Sequence, residues 1–167
     1  MKIRKVVSAV AALTLSSALA APVFAVTVSR VDGERMDPNG EPFSLSGVVS
    51  VTKGTYITNC TVTFNGKITP YGIVTITSTQ FTGGGACGLI SGGASSTSPW
   101  TGQVDSTTTL AINNMRVAVT LLGTCGPNKV VLAWSDTNSS LTFNNAVLTP
   151  DCKVNGTLTT SPKFHVQ

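Results

Sequence analysis

The sequence predicts an all-β fold: an antiparallel sandwich or barrel-like domain of about seven or more strands, held by two disulfides. Three observations carry this. Short β-branched runs alternate with Gly, Asn and Pro punctuation. No stretch sustains a 3.6-residue apolar period over three turns. Four cysteines, an even number, lie downstream of an export-type N-terminus.

The N-terminus carries Lys2, Arg4 and Lys5, then an apolar run from Val6 to about Leu19, then small residues up to Ala25. A basic start, a short apolar stretch and a small-residue exit read as a cleaved signal peptide over residues 1–25, with mature start at Val26; a cut after Ala20 is the second choice. The run is short for a membrane span, and no later segment is apolar enough for one. The mature chain of 142 residues keeps eight basic and seven acidic residues, a net +1 where the whole chain has +4. It has no basic stripe interleaved with aromatics, so nucleic acid is not an expected partner.

Residues 26–45 hold Arg30, Asp32, Glu34, Arg35, Asp37 and Glu41 among Pro38, Gly40 and Pro42, and read as a charged arm or edge strand. Residues 46–167 read as one β domain. Its expected strands are Val48–Val51, Ile57–Phe64, Ile73–Thr79, Val117–Leu122, Val130–Trp134, Ser140–Phe143 and Val154–Leu158. Asn65-Gly66 is a hairpin-turn signal, since both residues tolerate positive φ. Leu110–Met115 reads as a turn.

Cys60, Cys87, Cys125 and Cys152 contain no C-x-x-C pair, so disulfides are expected and a metal site is not. Cys60 to Cys87 and Cys125 to Cys152 both span 27 positions. Val74, Ile76 and Phe81 in one interval match Leu141, Phe143 and Leu148 in the other. The spacing favours Cys60–Cys87 with Cys125–Cys152, two bridged hairpin-like units, although four cysteines allow three connectivities.

Groups able to carry chemistry are sparse. His165 is the only histidine and has no partner nearby in sequence. No serine sits in a G-x-S-x-G elbow. Asp105, Asp136 and Asp151 each lie beside turn residues. Asp32, Glu34, Asp37, Asn39 and Glu41 are dense in oxygen, but their spacing matches no calcium loop, and a solvated arm is the expected reading. The glycine-rich stretch Gly83–Gly88 lacks a Lys-Ser/Thr ending and reads as a disulfide-anchored turn rather than a phosphate cradle. Trp100 after Ser98-Pro99 reads as a core residue, with an exposed ligand contact as the competing role. No catalytic residue, cofactor or metal is expected.

Asn59-Cys60-Thr61-Val62-Thr63, Thr75-Ile76-Thr77, Phe81-Thr82-Gly83-Gly84 before Cys87, Pro99-Trp100, Gly123-Thr124-Cys125-Gly126 with Val130–Trp134, and Leu148-Thr149-Pro150 before Cys152 together resemble the alkane-oxidation activator (PraB-like) family. The likeness covers most of residues 46–160 and the signal peptide. It implies a small exported bacterial protein linked to growth on hydrocarbons, with no catalytic residues to carry over. The expected function is an exported, non-catalytic accessory protein that binds or disperses apolar substrates, its partners being apolar small molecules or an oil–water interface. The alternative is a structural subunit of an extracellular matrix or fibre, self-associating by strand addition through the alternating end Lys163–Gln167.

Overall fold

The structure is a computed structural model and describes residues 26–167; the expected signal peptide lies outside the described residues. Eight strands form its wall: β2 (Glu41–Lys53), β3 (Tyr56–Ile68), β4 (Ile73–Thr82), β6 (Trp100–Ser106), β7 (Thr109–Val119), β8 (Gly123–Ser135), β9 (Ser140–Leu148) and β10 (Cys152–Ser161). Each pairs antiparallel with the next of these in chain order, and β10 returns to pair with β2. The result is a closed up-and-down barrel, which resolves the sandwich-or-barrel alternative. Closure leaves the wall without a terminal strand, but two seams are paired only in part: β4 meets β6 through Ile73–Ile76, and β8 meets β9 through Ala133–Ser135. Three short strands complete the fold. β5 (Ile90–Gly92) lies beside the last residues of β7, while β1 (Val28–Arg30) pairs with β11 (Phe164–Val166) as a separate ribbon.

Period-two alternation explains the wall. On β3, Cys60, Val62, Phe64 and Ile68 are buried inside, while Thr61, Thr63 and Asn65 face outward. The outer wall of the neighbouring strands is rich in hydroxyls, with cross-strand bonds such as Ser46–Thr63 at 3.2 Å and Thr142–Thr157 at 2.9 Å. Apolar inside and polar outside is the reverse of a lipid-exposed barrel. Among the described residues, no helix is long and apolar enough to cross a membrane.

Large side chains fill the interior. Phe64 packs edge-on against Trp100, with ring centroids 5.4 Å apart, and against Phe143 at 6.5 Å. Nearer one end, Phe43 meets Phe164 edge-on at 6.3 Å. Edge-to-face contacts match the negative ring face to the positive edge of a neighbour.

Several sequence expectations need correction. The boundary at residues 45/46 falls inside β2, whose Phe43 and Leu45 alternate into the core. Of the arm-or-edge-strand alternatives for residues 26–45, the loose arm does not hold: Val28 and Met36 are buried, and β1 is a short strand that with β11 plugs one end of the barrel. Asn65-Gly66 is not a turn but lies inside β3, at a register shift against β4. A Cβ on Gly66 would collide with the Thr75 carbonyl oxygen, so this glycine permits close backbone approach at a bulge. The reversals that flank β3 use Gly54 (φ 57°) and Gly72 (φ 75°). Leu110–Met115 belongs to β7, and Leu121-Leu122 lies in the turn beyond that strand.

Candidate functional site

The up-and-down order gives the barrel two different ends. The plugged end carries the β3–β4, β6–β7 and β8–β9 turns and the β1–β11 ribbon. The other end carries the β2–β3, β7–β8 and β9–β10 turns and the glycine-rich loop after β4.

Both disulfides lie toward this second end. The sulfurs pair Cys60 with Cys87 and Cys125 with Cys152, each pair 27 positions apart. The equal spacing has a geometric source. From Cys60 the chain runs down β3 and back up β4; from Cys125 it runs down β8 and back up β9. Each interval covers the barrel height twice. Cys87 opens a 3₁₀ turn, Cys87–Leu89, while Cys152 starts β10. Two disulfides are compatible with an exported protein.

Lys53 closes the same region. It is only 6 % exposed, and its Nζ donates to Asp151 Oδ1 at 2.6 Å while lying 3.4 Å from Cys125 Sγ. Cys125, Asp151 and Cys152 are close enough together to resemble a metal cluster. Both cysteines are consumed by the disulfide, however, so thiolate ligands are not available there. Hydrogen bonds then tie the loops to one another: Thr120 N–H to Leu89 O at 2.8 Å, Tyr56 Oη to Ala86 O at 3.3 Å, and Gly54 N–H to Asp151 O at 3.3 Å.

On these tied loops sit exposed apolar side chains: Ile57, Leu89, Leu121 and Leu122. Leu121 is 97 % exposed and holds φ at +69°. A non-glycine residue in that region costs about 1–2 kcal/mol, and asparagine or glycine is the usual occupant. The leucine therefore has neither burial nor backbone ease to recommend it there. The sequence reading missed this set because Leu121 and Leu122 extend the apolar alternation of the preceding strand.

Charge is distributed in the opposite sense. Six of the seven acidic residues, Asp32, Glu34, Asp37, Glu41, Asp105 and Asp136, lie at the plugged end. The seventh, Asp151, is the one paired with Lys53. The acidic segment proposed as a solvated arm is organised by Arg30, whose guanidinium meets Asp32, Glu34 and Glu41. The hydrogen bond to Arg30 holds the Asp32 carboxyl below its ordinary value, and the same contact raises Arg30. His165 has a partner invisible in sequence: its Nδ1 lies 2.7 Å from Asp136 Oδ2. Asp136 Oδ1 in turn accepts from Trp134 Nε1 at 2.6 Å and from the Val166 amide at 3.0 Å. Ser29 lies opposite His165 across the ribbon, and the bonds of Asp136 to His165 and to the Val166 amide secure β11 to the barrel. The end Lys163–Gln167 is thus engaged within the molecule, through β11 and the Thr27–Gln167 backbone bonds.

Trp100, weighed as a ligand contact, is 1 % exposed and belongs to the core. Three interior voids measure only about 30, 10 and 20 Å³. One liquid water occupies about 30 Å³, whereas small-molecule pockets run to roughly 300–1,000 Å³. Among the described residues, these three voids are too small for an alkane chain. A larger groove, about 600 Å³, lies open on the outer wall and mixes Pro42 and Ile73 with Ser44, Asn65, Lys67 and Thr75.

These features define a closed, disulfide-stapled β-barrel with a packed interior, an acidic plugged end and an apolar loop end. The chain belongs to the family described as alkane oxidation protein activator PraA/PraB-like, with residues 1–167 matched. No curated protein and no solved structure matches it.

Proposed function

We propose that this protein is an exported, non-catalytic accessory factor that helps cells use hydrocarbons by adsorbing to apolar substrate and dispersing it. The observation that carries this reading is the combination of a filled barrel with apolar side chains left outside on one loop end. A protein that cannot house an alkane must meet it at its surface. Covering apolar area is worth roughly 25 cal/mol per Å², so a patch of a few hundred Å² suffices for adsorption. The family description, which names alkane oxidation, supports alkanes as the substrate class. Export fits the two disulfides and the signal-like N-terminus.

Interfacial tension of the purified oxidised protein against hexadecane tests the reading. Micromolar protein is expected to lower the tension and to slow droplet coalescence. An unchanged tension would remove this mechanism.

A further inference from the structure

We propose that the disulfide end is the surface that enters a hydrocarbon–water interface, with Leu121 and Leu122 penetrating the apolar phase and Ile57 and Leu89 forming its rim. This rests on the adsorption reading above and adds where and how the protein adsorbs. Three independent observations converge on it.

The first is position. The four residues come from three separate segments, β3 just after its first turn, the 3₁₀ turn and the β7–β8 turn, yet all lie at one end of the barrel. The second is conformation. Leu121 stands almost fully exposed in a left-handed backbone that disfavours it, so neither packing nor turn formation accounts for a leucine at this position. The third is axial charge. The acidic residues of the opposite end keep that end in water, while Asp151 at the apolar end is neutralised by buried Lys53. Of the other basic side chains of this half, Arg116 lies on β7 behind the loops, and Lys153 on β10 is level with Ile57 across Thr52, at the rim, where its ammonium can stay in water. Exposed apolar side chains occur at the plugged end too, at Val31, Tyr71 and Ile73, but there they stand among six carboxylates. The single carboxylate of the disulfide end is paired with Lys53, and that difference in charge is what matches the disulfide end to an apolar liquid.

The shape selects the same occupant. The apolar groups sit on separate tips rather than along one groove, so a liquid surface can conform to them. The disulfides and the bonds between loops hold those tips in place, so adsorption needs no unfolding.

The test compares two double variants of the oxidised protein with the unaltered protein in pendant-drop tensiometry against hexadecane. L121N/L122N removes the penetrating pair, and asparagine accepts the left-handed backbone at position 121. I73T/V131T removes two exposed apolar side chains from the barrel wall. Urea midpoints establish that both variants are folded. The unaltered protein and the wall variant are expected to lower the tension alike, and L121N/L122N to adsorb at least tenfold more slowly. Equal adsorption by all three would overturn the insertion surface and leave the adsorption reading standing. No adsorption by the unaltered protein would overturn both. Binding to phosphatidylcholine vesicles without adsorption to hexadecane would also overturn the proposal, because the surface would then be specific for lipid.

Discussion

Removing either disulfide as an alanine pair should destabilise the barrel by nearly the same amount, although the two bridges join different kinds of element. Each closes a loop of 27 positions, and the chain-entropy relation then gives about 3.5 kcal/mol per bridge at 25 °C. With a urea slope of about 1–3 kcal/mol/M, the midpoint should fall by roughly 1–3 M in both C60A/C87A and C125A/C152A. Urea titration followed by tryptophan fluorescence reads this directly, since Trp100 lies in the core. The variants should differ locally. Only C60A/C87A frees the loop whose amides bond at Cys87 and Leu89, so exchange there should accelerate in that variant alone. A loss below about 1 kcal/mol for either pair, or a gap above about 1.5 kcal/mol between them, would refute the loop-entropy account.

Other expectations follow from single side chains. Asp151→Asn should cost about 2–3 kcal/mol, because it leaves the buried Lys53 ammonium without its carboxylate, whereas Lys53→Met should cost less by removing the buried charge itself; urea midpoints of both compare the two. Trp100→Ala should cost about 3–5 kcal/mol. Trp100→Phe should cost much less, since among the described residues the indole N–H has no protein hydrogen-bond partner to lose; thermal melts rank them. Gly66→Ala should cost more than about 1 kcal/mol, since its Cβ would press on the Thr75 carbonyl, and a variant as stable as the parent would contradict the bulge geometry. The Asp32 carboxyl is held below its ordinary value by Arg30, so its contribution is fully present above the unfolded carboxylate range near pH 4 and is lost as pH falls through the lower folded value. Protection of the β1–β11 ribbon amides, taken relative to their intrinsic exchange rates at each pH, should therefore fall on acidification, and Asp32→Asn should remove that part of the pH dependence.

Much of the fold class is written in local pattern. Cys60, Val62 and Phe64 alternate with Thr61 and Thr63, and the same signal recurs along the wall. Closure is a different matter: it depends on Val51 lying opposite Val154, a distant pairing that no local window contains. Local turn chemistry misled at Asn65-Gly66, because a bulge and a hairpin turn draw on the same residues. The difference lies in the backbone of Thr75, which sequence does not place. Charge obscured the plug in the same way: Val28 and Met36 anchor a segment whose composition suggests only solvation. The apolar end was hidden for a related reason, since Leu121 and Leu122 continue a strand pattern until Gly123 is recognised as the start of the next strand. His165 found its carboxylate only through the β11 ribbon.

The central claim is that an intact, filled barrel adsorbs through its disulfide end. Hydrogen exchange of the oxidised protein bound to a hexadecane emulsion, compared with the protein in buffer, tests this most directly. The account predicts new protection at residues 54–57, 83–89 and 120–122, with the barrel amides unchanged. Uniform protection, or faster exchange in the core strands, would contradict it, because the protein would then lie on its wall or unfold at the interface.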